Sequence, residues 1–380
     1  MNKGGIVFFA SLVVSASAAC SSGNHTPVAD AGNQQVATCG GKVTVEDQGQ
    51  KDCTTCTAST ACSQSTPVEA CCTWMNQATT ALARSTNLHR FSAPNGASPA
   101  PDLSCLTSPG TMGSASMVTL TGYVWLFSTG VDSAGVTVTV YKEKNPNTDG
   151  SFDMSAPLGT YTTKMSDAAD PTPTSWNSNC PNGCSYRQYT IPNIPTETPL
   201  IIETSDSGGG LWYTLYDYNI YFPNNLVENE GGTPTVHYDA TAASVDDPNT
   251  VAGSLGYSVT GGVIAGEVHD CWTDPDQPGL GVRLSGATVG SSIQPSGGEK
   301  IYYSTSDESN PLLSDGSTST SDLSLFAGIN YSTGQPIRVT ATGEDPANPG
   351  KLLMLGTYVV QVFPNAVTAI SLRGRRPWQL

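Results

Sequence analysis

The sequence predicts a mainly β protein: two tandem Greek-key-type β-sandwiches preceded by a small disulfide-rich module with one helix. Three observations lead there. Gly 39 and Pro 26 stand against only 13% charged residues, the composition of short strands and many turns. Beyond Met117 apolar and polar residues alternate with period two, as half-buried strands do. Before it, Cys39, Cys53, Cys56, Cys62, Cys71, Cys72 and Cys105 crowd one stretch, as in small secreted modules stapled by disulfides.

Residues 1–19 read as a secretory signal. A short basic start is followed by an apolar run, Ile6 to Val14, and by small residues up to Ala19. The run is shorter than the roughly 20 residues a spanning helix needs. Cys20 directly after the small residues resembles the lipobox of bacterial lipoproteins, with Ser17 where an aliphatic residue is usual. That resemblance implies cleavage before Cys20, lipidation of its thiol and a stable membrane tether. Ordinary cleavage after Ala18 or Ala19 is the competing reading. The chain has 11 cysteines, and lipidating Cys20 leaves an even number for pairing. Residues 20–38 hold almost no bulky apolar side chain and read as a flexible spacer.

Residues 39–116 form the cysteine-rich module. Its helix is announced by Thr66-Pro67-Val68-Glu69, an N-cap with Pro at the first turn and a capping-box Glu. Cys71, Cys72, Trp74, Met75, Ala78, Ala81 and Leu82 follow at helical spacing. Cys53-Thr-Thr-Cys56 is compatible with half a zinc site completed by Cys71, Cys72 and His89, or with a redox dithiol. In an exported chain disulfides are the favoured reading. Cys180-Pro-Asn-Gly-Cys184 has a turn at its centre and is expected to close a local bridge. Cys271 must then pair with one of the seven N-terminal cysteines, which would clamp the module to the second sandwich.

The two sandwiches, 117–228 and 259–380, are expected from an internal repeat. Thr121-Gly-Tyr-Val124 corresponds to Ala265-Gly-Glu-Val268, and Gly135-Val-Thr-Val138 to Gly281-Val-Arg-Leu284. Thr190-Ile191 and Ile194 parallel Ser324-Leu325 and Ile329. Pro199 to Thr204 parallels Pro336 to Ala341, and Tyr221-Phe-Pro-Asn-Asn225 mirrors Val362-Phe-Pro-Asn-Ala366. One face of each sheet is expected to be buried. Residues 229–258, polar and Gly-rich, read as a connector packed loosely on both.

These strand openings resemble carboxypeptidase regulatory-like domains, which are transthyretin-like (prealbumin-like) sandwiches related to carbohydrate-binding-like folds. The resemblance rests on Gly266-Glu-Val268, Asp270, the turn to Gly279 and Gly281-Val-Arg-Leu284, and on Gly122-Tyr-Val124 with Gly135-Val-Thr-Val138. Asp149-Gly-Ser-Phe152 and Gly159-Thr-Tyr161 resemble later elements of that family. It implies a fold and is silent on function.

Function is bounded by charge and by missing motifs. The net charge of −16 opposes binding to nucleic acid. The one basic cluster, Arg373, Arg375 and Arg376, reads as a solvated tail. Only four histidines occur, none in a metal-protease motif, and no Gly-x-Ser-x-Gly elbow is present. His269 and Asp270 are adjacent, so a strand sends them to opposite faces. No catalytic residue, cofactor or enzymatic activity is therefore expected. Asn145, Asn147 and Asp149 before Gly150 are weak calcium candidates, and a plain turn is the favoured reading. Asp270, Asp274 and Asp276 crowd a second acidic loop. Trp212, Tyr213 and Tyr216 are candidate ligand-binding residues should one face of their strand present an aromatic row. The chain reads as an exported surface protein of the outer membrane or cell surface. Its expected partners are the membrane, through the lipid, and a cell-surface protein or polysaccharide. A structural or adhesive role leads. A carbohydrate-binding accessory lipoprotein is the alternative, and an unrecognised hydrolase the weaker one.

Overall fold

The computed structural model describes residues 36–37, 42–45, 49–52, 82–83, 88–90, 100–107, 110–127, 132–170, 185–271, 281–293, 295–306, 313–347 and 352–379. It is mainly β. Short strands β1 (Val36–Ala37), β2 (Lys42–Val45), β3 (Gly49–Asp52), β4 (Leu82–Ala83) and β5 (His89–Arg90) precede the first copy. The helix expected from Thr66 lies outside the described residues, except that Leu82–Ala83 pair as a strand with Val36–Ala37.

The first copy contains β6 (Met117–Leu126), β7 (Val136–Lys142), β8 (Gly159–Thr162), β9 (Gln188–Pro195), β10 (Leu200–Asp206) and β11 (Trp212–Ile220). It continues through β12 (Glu228–Glu230), β13 (Thr233–His237) and β14 (Ala240–Ser244). The second copy contains β15 (Gly262–His269), β16 (Leu284–Ser285), β17 (Thr288–Ser291), β18 (Gly297–Ser304) and β19 (Leu313–Ser314). It ends with β20 (Leu325–Tyr331), β21 (Pro336–Glu344), β22 (Leu352–Gln361) and β23 (Ala366–Arg373).

The strand order repeats. β6 lies antiparallel to β9 and parallel to β13 and β14; β15 lies antiparallel to β20 and parallel to β23. Likewise β10 sits between β7 and β11 as β21 sits between β17 and β22. The strand equivalent to β7 is thus β17, and the match of Gly135–Val138 to Gly281–Leu284 is corrected by a few residues. Gly135 (φ +88°) and Gly286 (φ +82°) each turn the chain into these equivalent strands. The place expected for Gly281-Val-Arg-Leu284 is taken by Gly286-Ala-Thr-Val289. Residues 229–258 also differ from expectation. They are no loose connector, because β13 and β14 supply the parallel closing strand that β23 supplies in the second copy.

The glycine of each Gly-x-Val opening has a physical reason. A Cβ on Gly122 would meet Tyr238 O at 1.9 Å, and one on Gly266 would meet Ile370 O at 1.9 Å. Both glycines let the parallel closing strand approach its opening strand, and the same contact recurs in both copies.

The copies share a sheet. Thr214 to Tyr218 of β11 pair in parallel with Ala366 to Ile370 of β23. The ladder β8-β7-β10-β11 therefore runs on through β23, β15, β20, β18 and β19 as part of a 14-stranded sheet. Its first-copy strands are covered on both faces. Leu200 and Ile202 enter one apolar cluster with Val118, Leu120, Val138 and Ile191, while Ile201 between them enters another with Ile264, Val339 and Tyr358. On β7, Val136, Val138 and Val140 face the first cluster and Tyr141 the second. A strand buried on both sides reads as a continuous apolar run, as Leu200-Ile-Ile202 does. The expectation of one buried face per sheet fails here.

Glu143, just past β7, is caught in this double burial at 2% exposure. The Tyr358 hydroxyl of β22 donates to its Oε2 at 2.5 Å, and Oε1 has no hydrogen-bond partner. Burial pushes its pKa up to about 8; the Tyr358 hydrogen bond opposes that and Asp149 adds to it.

Two outcomes follow from this packing. Gly122→Ala and Gly266→Ala should each lower unfolding free energy in urea by about 1–3 kcal/mol through backbone collision, with Gly316→Ala as a loop control having nothing within 4 Å and no left-handed backbone. Glu143 retains its proton in the folded chain up to about pH 8, whereas unfolded glutamate ionises near about 4.3. Stability should therefore fall as pH rises between these values and level off above. Glu143→Gln should flatten that slope and add about 1–3 kcal/mol at pH 8, read from urea melts across pH.

Candidate functional site

The strands place a junction where β15 ends, where the segment before the first copy crosses it, and where the chain finishes. Asp270 follows β15 and is fully buried. Its Oδ2 accepts from Arg90 Nε at 2.5 Å and from the Asp102 amide at 3.0 Å, and Oδ1 accepts from the Val282 amide at 3.0 Å. Arg90 is delivered by β5, which pairs with β16. Both side chains of the ion pair are almost wholly out of solvent, where removing one partner of a pair is costly. Next to them Cys271 is disulfide-bonded to Cys105, with Cα atoms 5.3 Å apart. The expectation that Cys271 bridges to an N-terminal cysteine is met, and the partner is Cys105. The Cys271 amide also donates to Asp102 O at 2.8 Å.

Residues 374–379 fold back over this junction, which overturns the reading of a solvated tail. Arg375 is 9% and Arg376 8% exposed. Arg373 donates to Cys271 O at 2.8 Å. Arg376 donates to Asn219 Oδ1 at 2.7 Å and Asn219 O at 2.8 Å, on the first copy. Gln379 donates to Thr357 O at 2.7 Å, on the second. The Trp378 ring packs edge-on to Tyr221, with centroids 5.1 Å apart, and Asn147 donates to its carbonyl at 2.7 Å. The segment thus touches both copies. The signal was present in Pro377-Trp378, an odd pair for a solvated tail, but charge patterning outweighed it.

A cleft of about 380 Å³ opens beside this strap, lined among others by Arg373, Arg375, Arg376, Glu197, Tyr221 and Cys105. The Glu197 carboxylate is held by the Tyr221 hydroxyl, the Asn224 amide at 2.7 Å and the Gly113 amide at 3.0 Å. Burial works to raise its pKa, but those donors outweigh it and hold the group below the usual range. Arg376 is brought down to about 9, first by burial and then by the charge of Arg373.

A second polar cluster lies on β15. Glu267 approaches His269 Nε2 at 2.8 Å and accepts from Arg283 at 2.8 Å, while His269 Nδ1 lies 2.6 Å from Gly281 O. Burial would raise Glu267, yet Arg283 and His269 bring it to about 2. Nearby, burial raises Asp217 to about 6 although the Tyr238 hydroxyl donates to it at 2.5 Å. As alternation requires, His269 and Asp270 diverge. The same-face neighbour of His269 is Glu267, two residues back, which sequence reading passed over. Among the described residues His269 bonds to no serine, threonine or cysteine.

The other candidates disperse. Trp212 and Tyr216 are buried, at 6% and 7% exposure, in the two different apolar clusters. Tyr213 packs against a third cluster of Leu215, Val263 and Val367. The aromatic row is core because the strand is covered twice. In the 145–149 loop, Asn145 O accepts the amides of Asp149 and Gly150, and Asp149 Oδ1 accepts from the Ser151 amide at 2.8 Å. The Asn147 side chain turns to Trp378 instead. The loop is a self-satisfied turn, and among the described residues no group of His, Cys, Asp and Glu is placed to hold a metal ion. His89 stands 3.3 Å from Asp322. Cys20, Cys39, Cys53, Cys56, Cys62, Cys71, Cys72, Cys180, Cys184, Asp274 and Asp276 lie outside the described residues.

No family model matches the chain, and no curated protein does. Among solved structures, it is similar to a mutant of the shaft pilin SpaA from Lactobacillus rhamnosus GG at 13% identity, over 69% of this chain and 100% of that one, with a TM-score of 0.17. The SpaE basal pilin of the same organism follows at 12% identity, 63% and 89% coverage and a TM-score of 0.19. A mutant of the major pilin from Streptococcus pyogenes stands at 10%, 67%, 99% and 0.16. At these scores the backbones do not superpose as one fold, and the likeness says nothing of role.

Replacing Cys105 and Cys271 together by Ser should lower unfolding free energy by about 2–4 kcal/mol in urea. An unchanged midpoint would show that the ion pair and hydrogen bonds of the junction hold it without the covalent bond.

Proposed function

We propose that the chain is an exported, lipid-anchored surface protein whose role is structural or adhesive, with no catalysis. The observation that carries this reading is the shared middle sheet. One hydrogen-bonded ladder passes from the first copy into the second, and a disulfide, a buried ion pair and the C-terminal strap reinforce the junction. Such a body transmits orientation from one end to the other, as a scaffold that displays loops must. The buried polar groups here serve packing. Among the described residues no serine, threonine or cysteine bonds to the dyad of His269 and Glu267, and Asp270 is engaged by Arg90 and by the amides of Asp102 and Val282.

The two copies are read as sandwiches of the carboxypeptidase regulatory-like type. The recurring glycine contacts at Gly122 and Gly266, and Gly286-Ala-Thr-Val289 opening β17, support that assignment. The carbohydrate-binding alternative loses its platform, since Trp212 and Tyr216 lie in the core. Export rests on the leader-like residues 1–19 and on a disulfide that persists only in an oxidising compartment. No helix among the described residues is long and apolar enough to cross a membrane, so the lipid on Cys20 is the proposed anchor.

Cys20→Ser should shift the protein from the membrane to the soluble fraction and abolish incorporation of labelled fatty acid. Retention of either property by the variant would remove the lipid anchor from this account.

A further inference from the structure

The geometry points to the outer face of β6 in the first copy as a binding site for a neutral polysaccharide, with Tyr123 and Trp125 as its platform. This deepens the adhesive reading above and rests on it, since it names what the chain adheres to. The face is separate from the strand of Trp212 and Tyr216, whose rings are core.

Period two divides β6. Val118, Leu120 and Val124 enter the core of the first copy, so Tyr123 and Trp125 stand on the opposite side. Both are half-buried there, so water reaches part of each ring. Their neighbours follow from the register and the ring contacts. Gln188 of β9 lies beside Tyr123. Tyr186 backs Trp125, with the rings 21° from parallel and their centroids 5.6 Å apart. The His237 ring lies 6.1 Å from that of Tyr123. An aromatic row is thus rimmed by an amide and an imidazole, with the Asp239 carboxylate beside them.

The repeat supplies an internal comparison. Gly122 corresponds to Gly266, so the positions of Tyr123 and Trp125 correspond to those of Glu267 and His269. In the second copy these two polar side chains approach each other at 2.8 Å. The topology therefore does not require rings at these positions. Tyrosine and tryptophan join an apolar body to a polar tip, which suits a surface that is wet on one side and stacked on the other. The C–H face of a sugar ring is apolar and its rim is polar, the same division.

The polar atoms at the rim suit hydroxyl groups. Asp239 Oδ1 is engaged by the Tyr123 amide at 2.8 Å and by His237 Nε2 at 2.9 Å. Among the described residues, Asp239 Oδ2 and the Tyr123 hydroxyl enter no hydrogen bond. A sugar hydroxyl donates to the first, and donates to or accepts from the second. Charge narrows the class of sugar. Burial raises the pKa of Tyr123, and the negative charges of Asp170 and Asp239 add to that rise. The whole chain carries −16. A polymer bearing carboxylates or phosphates is repelled by such a surface, and an uncharged one is not.

The test is affinity electrophoresis of the full-length exported protein in native gels. Each gel contains one of glycogen, dextran, mixed-linkage β-glucan, mannan or galactan, with polygalacturonate as the charged control. We expect at least one neutral polymer to retard the protein saturably, and its own oligosaccharides to reverse the retardation. Tyr123→Ala and Trp125→Ala should each weaken that binding by about tenfold or more. On the wild-type protein, hydroxyl-radical footprinting should show the bound polymer protecting Tyr123 and Trp125. Exposed Met154, two residues from Phe152 on the seam side, should stay unprotected. That readout holds even if a variant fails to fold. No retardation by any neutral polymer, retardation by polygalacturonate alone, undiminished binding in both folded variants, or protection that misses Tyr123 and Trp125 would each overturn the assignment. Release of reducing ends from the retarding polymer would refute the absence of catalysis and leave the site standing, so the two readings fail separately.

Discussion

The structure depends on one shared layer. The ladder of β7, β10 and β11 has a hydrophobic core on each side, and β11 pairs with β23 of the second copy. A sheet with one wet face would let the two sandwiches move against each other. A sheet buried on both faces cannot shift without exposing side chains whose burial contributes about 1.5–3 kcal/mol each. Tyr141, Ile201, Tyr216 and Tyr218 belong in sequence to the first copy and in packing to the second. The repeat is therefore two units in topology and one in packing.

That arrangement explains the polar groups trapped near the seam. Glu143 is stranded because the ladder beside it is covered twice, and a tyrosine hydroxyl from the opposite copy donates to its carboxylate. Asp270 sits at the edge of the same seam. The fold has recruited Arg90 from before the first copy to neutralise it, with the Cys105–Cys271 bond beside the pair. The C-terminal strap adds cations where β11 and β22 meet. Arg376 bonds to Asn219, whose backbone (φ +66°) lies in the irregularity of the β10–β11 register.

Much of the fold was legible in the residues. Period-two alternation located β6 and β7, and the self-similarity of Gly122-Tyr-Val124 with Gly266-Glu-Val268 located the repeat. Its glycines proved to stand where a carbonyl of the parallel closing strand comes close, at 1.9 Å from a built Cβ in both copies. The boundary of the first copy was not legible, because β13 follows Gly231-Gly232 and β14 is built of small residues, Ala240-Thr-Ala-Ala-Ser244, so both read locally as linker. The register of β17 was missed because two glycine-led segments, at Gly281 and Gly286, both fit the expected opening. Of the candidate site, only Cys271, its pairing and the divergence of His269 from Asp270 were foreseen. The arginines of the cleft were taken for a tail.

By itself the sequence determined the local choices: which segments alternate, where glycine must stand, and which cysteine lacked a local mate. These follow from backbone sterics and side-chain period, which act over a few residues. Only the tertiary structure decided which faces are covered. Trp212 and Tyr216 became core, and Arg375 and Arg376 became buried, because strands from far along the chain came to lie over them. Burial is a property of what arrives opposite a residue, and no window of neighbouring residues contains that information.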